Sequence, residues 1–333
     1  MITVGHAHYS RILIEASILA WMTLSNGVFN KAVDGALQGI ITFTSRMLRS
    51  MNWRMHKAYE LLFSSIPYNS SGDNIFTLLM FIQNHGRLPN QKMNFNDYLY
   101  RLKTSGEGNN PLRSFVTDKE FVKLYIRGII GDEFLVPTIS VLRSSEEVAG
   151  YNFPPRCCIK PTHLSGPIIF RMEGEPVDLE EIANWFSRSH YRNGREANYR
   201  TLKPKVIVEP MLFDNDNLHD YKIFCYKGVP KLIQVDVNRY IKHERKFYDC
   251  SWREMPFTLN FPLYNGNIEK PENLDMMLKV ASDLSKNFEF IRIDLYSNGT
   301  QLYVGELTSF PGNIEGDFIP LNSEEQASSI LFN

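Results

Sequence analysis

Acidic and basic side chains alternate with apolar ones in two neighbouring segments near the carboxyl end of the chain. Arg292 and Asp294 alternate with apolar residues in the first segment, and Glu306 and Thr308 do so in the second. If the segments pair as a β-hairpin with their apolar side chains in a core, these polar side chains share the opposite face. Two carboxylates on one face repel unless a cation lies between them, and their oxygens suit Mg²⁺. This face is therefore either a divalent-metal site or a solvated surface on which Arg292 neutralises Asp294.

The shared face sets a condition on the turn. A two-residue Asn-Gly turn would place Asp294 and Glu306 on opposite faces, so the pattern predicts an odd-numbered loop, such as residues 298–300. The same pairing predicts which residues of the second segment face the core: Tyr303, Gly305 and Leu307.

Residues that could bind a nucleotide lie at the ends of apolar strands or interrupt them. Lys160 precedes a polar loop with Ser165, so its ammonium could meet phosphates held by loop amides. Lys222 alternates with apolar neighbours and points away from them. Glu209 precedes a proline, and a carboxylate beside the freed backbone can offer adenine hydrogen bonds. The alternatives are a solvated Lys160 and a Glu209 that pairs with a surface lysine.

The surrounding sequence indicates how these residues are positioned. From about residue 135 the pattern is of short strands and hairpins. A capping box at 117–120 begins a helix that Gly128 and Gly131 are predicted to end, and further helices are predicted at 178–193 and 273–286. This mixture predicts an α+β fold built on antiparallel sheet.

Composition limits the class of protein. The chain has 333 residues, 43% hydrophobic and 22% charged, with a formal net charge of −1. These values exclude a disordered, collagen-like or disulfide-scaffold chain. No global basic field exists to hold nucleic acid, although a local basic groove stays open, and we expect no nucleic-acid partner. The four cysteines lack CxxC metal spacing, and we interpret them as reduced thiols in a cytoplasmic protein.

The first third of the chain has the pattern of helices, with amphipathic stretches at 12–24 and 47–62. The first stretch is shorter than the about 20 residues that span a bilayer, and it lacks the pattern of a signal peptide. We therefore expect no transmembrane segment. Contact with a membrane surface, a glycan-assembly complex or a second copy of the chain stays open, and so does the oligomeric state.

Taken in chain order, these motifs resemble the ATP-grasp superfamily, and within it the TupA-like ATP-grasp family, named for a teichuronopeptide biosynthesis protein. The order is a lysine before a loop, a glutamate hinge, a lysine on a strand, and Arg-x-Asp and Glu-x-Thr on a closing hairpin. The resemblance covers about residues 85–315. The matching stretches are NFNDYLYRL (94–102), DKEFVKLYIRGIIGDEFLVPTI (118–139), CIKPTHLSG (158–166), KPKVIVEPML (203–212), DYKIFCYKGVPKLIQVDVNRY (220–240), HERKFYD (243–249) and IRIDLYSNGTQLYVGELTSFPG (291–312).

The resemblance implies an ATP-grasp fold, in which two α+β lobes with antiparallel sheets clamp ATP. We accordingly divide the chain into a mainly helical N-terminal region at 1–110, a first lobe with a phosphate lid at 111–200, and a second lobe with the metal-binding hairpin at 201–333.

The resemblance also assigns residues to ATP and Mg²⁺. Lys160 and Lys222 would contact the phosphates, with Lys119 as a further candidate, and Glu209 with the Met211 backbone would form the adenine hinge. The residues assigned to the lid are Thr162, His163, Ser165 and Gly166, and those assigned to Mg²⁺ are Asp294, Glu306 and Thr308. Many ATP-grasp ligases have asparagine where this chain has Thr308.

Four residues are assigned to catalysis or to the acceptor. Arg292 is placed to steady an acyl phosphate, and Arg239, His243 and Arg245 would bind the acceptor carboxylate or assist catalysis. A solvated basic loop is the alternative for the latter three. For His163, approach to the substrate and plain exposure both stay open.

The resemblance implies an ATP-dependent ligase that joins a carboxylate to an amine through an acyl phosphate. It points to attachment of an amino acid or amine to a uronic-acid-type carboxylate in bacterial capsule or surface-polysaccharide biosynthesis, with the glycan carboxylate and the amine as substrates. The alternatives are an ATP-grasp kinase acting on a sugar or amino-acid acceptor and a non-catalytic nucleotide-binding scaffold.

Overall fold

The computed structural model describes residues 63–213, 219–238 and 242–333. The predicted amphipathic stretches at 12–24 and 47–62 lie outside these residues. The chain separates into two compact units. The first comprises Met1–Lys92, Asn96–Gly108 and Gly312–Glu315, and the second comprises Met93–Phe95, Asn109–Pro311 and Gly316–Asn333. None of the helices in the described part of the chain has the length and apolar character that crossing a membrane requires.

Two helices of the first unit begin and end within the described residues. Helix α1 (Ser70–His85) begins after Asn69, whose side chain accepts a backbone N–H of the first turn at 2.8 Å. It ends at Gly86, which has a φ of 64°. Helix α2 (Phe95–Thr104) follows, with an acidic residue in its first turn and basic residues in its last, as the helix dipole favours.

The second unit alternates short helices with antiparallel strands. Its helices are α3 (Pro111–Thr117), α4 (Val122–Ile130), α5 (Ser145–Gly150), α6 (Leu179–Trp185), α7 (His190–Gly194), α8 (Leu274–Ser285) and α9 (Glu324–Phe332). Its strands are β1 (Ser140–Leu142), β2 (Cys157–Pro161), β3 (Ile169–Arg171), β4 (Val206–Glu209), β5 (His219–Tyr226), β6 (Val229–Val237), β7 (Glu244–Asp249), β8 (Thr258–Leu259), β9 (Phe290–Ser297), β10 (Leu302–Thr308) and β11 (Phe318–Ile319). This antiparallel α+β arrangement confirms the predicted fold class. The three-domain division stays a prediction.

The four-stranded sheet has the order β1–β4–β2–β3. Its core face carries Ile159, Val206 and Val208, which pack with Ile182 and Trp185 of α6. Because side chains alternate along a strand, Lys160 lies on the other face, opposite Ile207 of β4. The predicted strand at 157–160 and its return partner are confirmed.

The five-stranded sheet has the order β10–β9–β5–β6–β7. Apolar side chains of its strands pack with α8 and α4 in the largest core of the unit, where Ile223, Ile233 and Ile293 are fully buried. The predicted hairpin around Lys227 and Gly228 joins β5 to β6, and both residues have positive φ. The opposite face carries polar side chains, among them Lys222 and Asp294, and also buried aromatic side chains such as Phe224 and Phe290.

Some predicted helix boundaries were wrong. Helix α4 ends at Gly131, as predicted, with a φ of 89°, but it continues through Gly128 and begins at Val122, after the predicted capping box at 117–120. The predicted helix at 178–193 is divided into α6 and α7. Ser187 Oγ donates to the Asn184 carbonyl at 2.9 Å, and such local side-chain bonds compete with the helical pattern at a polar break.

Candidate active site

The β9–β10 hairpin presents two carboxylates side by side. Asp294 and Glu306 lie directly opposite each other, so the predicted shared face is confirmed. The predicted odd-numbered loop was wrong, because the loop comprises residues 298–301. A β-bulge between Val304 and Glu306 restores the parity, with Gly305 as the extra residue that has no partner on β9.

The bulge explains which residue stands at position 305 and which face the core. A Cβ on Gly305 would lie 2.7 Å from Cε2 of Tyr296, so the ring of Tyr296 leaves no room for a side chain. Of the residues predicted to face the core, only Leu307 does so. Tyr303 lies opposite Tyr296 on the other face, and Val304 takes its place in the core.

Arg292 connects the polar side chains of the hairpin. Its Nε and one terminal nitrogen donate to the two oxygens of Asp294 at 2.6 and 2.7 Å, a bidentate ion pair. The same terminal nitrogen donates to Thr308 Oγ1 at 3.0 Å, and Thr308 in turn donates to Glu306 at 3.1 Å. The Asp294 side chain is only 5% exposed. The ion pair exists, therefore, but not as the solvated surface that was the alternative.

The surroundings shift the pKa values of Asp294 and Glu306 in opposite directions. Burial raises the pKa of Asp294 against the opposing effect of Arg292. Burial also acts to raise the pKa of Glu306, but Lys119, Arg292 and Lys222 outweigh it and lower that pKa to about 2. Neighbouring cations thus favour the ionised form of Glu306.

The hairpin carboxylates fit a divalent cation by their chemistry. Asp294 and Glu306 supply adjacent oxygen ligands, and Mg²⁺ takes one or two carboxylates together with phosphate and water oxygens. In the described ranges no group of three or more His, Cys, Asp or Glu side chains is gathered as in an all-protein metal cage. Asp294 bonds Arg292 through both oxygens but keeps lone pairs for a cation, since a carboxylate has about four, whereas the Thr308 hydroxyl already bonds Arg292 and Glu306. The residues therefore fit a Mg²⁺ completed by a phosphate, held chiefly by the two carboxylates.

Lys222 lies on the same face as the hairpin carboxylates. It is directly opposite Asp294 in the β5–β9 pairing, with its Nζ 3.6 Å from that carboxylate. Its Nζ also contacts Asp220 and lies 3.4 Å from Asp236. Burial lowers the pKa of Lys222, but the three carboxylates outweigh it, so the pKa is raised and the ammonium stays charged.

Asp236 organises the residues assigned to the acceptor. Arg245 Nε donates to Asp236 at 2.6 Å, and another of its nitrogens donates to the Leu259 carbonyl at 2.6 Å. The His243 ring stacks on Phe261 with centroids 3.7 Å apart, and its Nε2 lies 3.3 Å from Asp236. The alternative of a solvated basic loop is wrong for these two residues. Their assignment to the acceptor stays a prediction.

Glu209 of β4 joins Lys160 of the same sheet to Lys123 of helix α4. Lys160 Nζ lies 2.7 Å from one of its oxygens and Lys123 Nζ lies 2.6 Å from the other. Burial lowers the pKa of Lys160, but Glu209, Tyr296 and Cys158 together outweigh it, so the net shift is upward. Lys160 Nζ also lies 5.9 Å from the centre of the Tyr296 ring on β9. Glu209 is therefore a buried counter-ion for Lys160. Both alternatives, a solvated Lys160 and a Glu209 paired with a surface lysine, are wrong.

The predicted lid, residues 162–166, is partly fixed. Thr162 and His163 are buried, whereas Ser165 and Gly166 are exposed and Gly166 has a φ of 104°. His163 Nε2 lies 2.9 Å from the Trp185 carbonyl, so of the two alternatives left open for His163, plain exposure is wrong. The lid therefore has an anchored first half and an exposed second half.

Lys119 contacts the lid directly. Its Nζ donates to the Leu164 carbonyl at 2.7 Å, and its backbone N–H donates to the Thr162 carbonyl at 3.4 Å. Burial lowers its pKa, and Glu306 is the strongest neighbour that opposes this shift. Lys119 therefore lies against the lid and within electrostatic reach of Glu306.

Two assigned residues cannot be placed more closely. Arg239 lies outside the described residues. Met211 is half-buried and follows the end of β4 at Glu209, and its role in an adenine hinge stays a prediction.

Sequence reasoning missed several residues of this site. Burial raises the pKa of Tyr199, which Glu306 raises further and which Ser165 of the lid and Arg292 act to lower, so its hydroxyl lies near both the lid and the hairpin. Its ring lies 4.2 Å from that of His190, centroid to centroid. No sequence signal marks Tyr199. Lys123 was detectable one helical turn after Lys119, and Asp220 two residues before Lys222 on the same strand face.

Solved structures that resemble the chain are ATP-grasp ligases. The D-alanine–D-alanine ligase of Helicobacter pylori is 14% identical, with a TM-score of 0.35, over 65% of this chain and 60% of that one. The ligase of Bacillus anthracis is 15% identical, with a TM-score of 0.38, over 65% and 64%. PsnB, an ATP-grasp ligase complexed with a phosphomimetic precursor variant, Mg and ADP, is 14% identical, with a TM-score of 0.35, over 70% and 66%. The chain spans about three fifths of the first of these, and at such TM-scores the likeness carries no argument.

Comparison by sequence is more specific. No curated protein matches the chain. The family model described as TupA-like ATPgrasp matches residues 98–328, which is more than half of the chain. This match confirms the resemblance that the motifs indicated and, with the antiparallel α+β architecture, the predicted ATP-grasp fold. The chain belongs to the TupA-like ATP-grasp family.

Proposed function

We propose that the protein is an ATP-dependent carboxylate–amine ligase that works through an acyl phosphate. The observation that carries this proposal is the convergence of charge around Glu306. Lys119, Arg292 and Lys222 come from three separate segments of the chain, yet all of them lower the pKa of that carboxylate. Such a gathering of cations beside paired carboxylates suits a triphosphate with its divalent ion.

The residues support a defined division of tasks. Lys160 and Lys119 would hold phosphate oxygens on one side, and Lys222 would do so on the other. Mg²⁺ held by Asp294 and Glu306 would neutralise charge on the phosphates. Because phosphoryl transfer depends mainly on positioning and charge neutralisation, these residues need not form covalent bonds themselves.

The reaction that we propose has two steps. A carboxylate oxygen of the acceptor attacks the γ-phosphorus of ATP, the bond to ADP breaks, and an acyl phosphate forms. The amine then attacks the acyl carbon, inorganic phosphate leaves, and the amine nitrogen loses a proton. Arg292 would steady the acyl phosphate, and Arg245 with His243 would orient the acceptor carboxylate.

The substrates that we propose are an amino acid or amine and a uronic-acid-type carboxylate of a bacterial surface polysaccharide. The family resemblance supports this choice. A cytoplasmic location is also part of the proposal, supported by the four free cysteines. Burial raises the pKa of Cys158 and Cys225 to about 12, as expected for protonated thiols kept reduced.

Isotope transfer tests the reaction. The protein is incubated with ATP, Mg²⁺, an amine and an acceptor uronic acid whose carboxylate carries ¹⁸O. A ligase with an acyl-phosphate intermediate releases inorganic phosphate containing one ¹⁸O, and only when the amine is present does an amide accumulate. A stable phosphorylated acceptor would indicate the kinase instead. Nucleotide binding without turnover for any acceptor tried would favour the scaffold, and either result would contradict the ligase.

A further inference from the structure

We infer that Lys205 is a positioning residue that holds Lys119 at the phosphate side of the site. The inference rests on the proposed function, since it assumes that Lys119 meets the nucleotide. Lys205 immediately precedes β4 and is 4% exposed. Nothing in the motifs singled it out, and it acts through Lys119 without contacting the reactants itself.

The side chain of Lys205 forms ion pairs with Asp118 and Glu120, the residues on either side of Lys119 in the sequence. Its Nζ lies 3.0 Å from an oxygen of Asp118 and also forms an ion pair with Glu120. Asp118 is 1% exposed, so its carboxylate depends on a buried cation. One ammonium thus fixes the residue before Lys119 and the residue after it.

The backbone of Lys205 fixes the loop that Lys119 contacts. The Lys205 carbonyl accepts the Thr162 N–H at 2.9 Å, and the Thr162 carbonyl accepts the Lys119 N–H at 3.4 Å. The Lys119 ammonium then reaches the Leu164 carbonyl at 2.7 Å. Side chain and backbone of Lys205 therefore act on the same lysine from two directions.

Neighbouring groups also restrain these ion pairs of Lys205, which we call the brace. Arg143 donates to both oxygens of Glu120, at 2.7 and 3.2 Å, so Glu120 is held from its outer side. The Lys205 ammonium lies 4.0 Å from the centre of the Phe121 ring, a favourable cation–π distance. Asp118 Oδ1 also accepts the Glu120 N–H at 2.9 Å. The segment that carries Lys119 consequently has little freedom while Lys205 is in place.

The experiment measures binding of a nonhydrolysable ATP analogue with Mg²⁺ to the full chain by calorimetry. Lys205→Met should weaken binding about tenfold or more, because a displaced binding group loses its geometry. Lys119→Met should weaken binding similarly, and the double variant should bind no more weakly than Lys119→Met alone. Lys246→Met is the matched control: Lys246 is also 4% exposed and pairs with Glu254 at 2.8 Å, so its loss should lower stability and leave affinity unchanged.

The outcomes separate this inference from the proposed function. Absence of binding to the wild-type protein would overturn the proposed function and this inference with it. Wild-type binding that Lys205→Met leaves intact, or additive losses in the double variant, would overturn only the role of Lys205. If thermal melting shows that Lys205→Met is unfolded, Glu120→Gln replaces it. That variant removes one arm of the brace from a partly exposed position, and it should weaken binding several-fold with little loss of stability; unchanged affinity would again overturn the role.

Discussion

The two sheets of the second unit contribute opposite charge to the site. Beside the four-stranded sheet, Lys119, Lys123 and Lys160 have Glu209 as the carboxylate bonded to two of them. On the five-stranded sheet, carboxylates outnumber the lysine and arginines around them, and that set comprises Asp220, Asp236, Asp294 and Glu306 with Lys222, Arg245 and Arg292.

This difference indicates which part of a metal–nucleotide complex each sheet receives. A positive excess suits phosphate oxygens, and a negative excess suits a divalent cation. Glu209 keeps the first cluster stable while the nucleotide is absent, because buried lysines without a counter-ion would lose their charge. Variants that change the charge beside either sheet test this assignment.

The largest effect is expected from Asp294→Asn. The variant removes one of the two adjacent carboxylates and leaves Arg292 and Lys222 without their shared partner, so turnover should fall about 10³-fold and require more Mg²⁺. The measurement is the rate of ADP release over a Mg²⁺ titration. Asp249→Asn, which removes a carboxylate paired with Arg253 on β7, should leave the rate unchanged. Equal rates for both variants would contradict a metal-binding role for the hairpin.

Lys160→Met and Lys123→Met should differ in size. Loss of Lys160 removes a phosphate contact and should raise the KM for ATP about 10²-fold. Loss of Lys123 leaves Glu209 bonded to Lys160 alone, which ties Lys160 more firmly and should raise that KM about tenfold. Initial rates over a range of ATP concentrations measure both, with exposed Lys279→Met on α8 as the control. A larger effect for Lys123 would reverse the roles that we assign.

Gly305→Ala tests the bulge. The added Cβ would press on the Tyr296 ring, 2.7 Å away, and the hairpin should lose about 2 kcal/mol of unfolding free energy. Gly128→Ala in α4 meets nothing within 4 Å and should be neutral or stabilising. Urea unfolding of the two variants measures the difference, and equal midpoints would show that the bulge does not need glycine.

The smallest effect is expected from Tyr199→Phe. It removes the hydroxyl that interacts with Ser165 of the lid and should raise the KM for ATP about three- to fivefold, the value of one hydrogen bond. Ser165→Ala should have the same effect, and the double variant should be no worse than either one. A double-mutant cycle on KM measures this, and additive losses would mean that Tyr199 acts on the substrates independently of the lid.

Sequence alone predicted what depends on local alternation. The common face of Asp294 and Glu306 and the direction of Lys222 follow from the period of two along a strand. The parity of the hairpin loop could not be predicted, because the bulge at Gly305 depends on the Tyr296 ring on the neighbouring strand.

Contacts between distant segments were equally hidden. The ion pair of Lys123 with Glu209 joins residues 86 positions apart, and Tyr199 acts on Ser165 of the lid from a separate segment of the chain. Such pairs are set by tertiary packing, which no short-range pattern reports. The division of the predicted helix at 178–193 has a local cause, the serine hydroxyl that bonds a carbonyl of the preceding turn, but serine in that position does not always end a helix.

The bulge at Gly305 also lies between the loop of the hairpin and the strand positions of Asp294 and Glu306. Residues 298–301 are mostly exposed. On β10 they are joined to Glu306 only across that irregularity, and on β9 the pairing of Asp294 with Lys222 of β5 fixes the register. Length changes at the tip are therefore absorbed before they reach Asp294 and Glu306. A reporter peptide inserted there would label the protein and leave Asp294 and Glu306 in register.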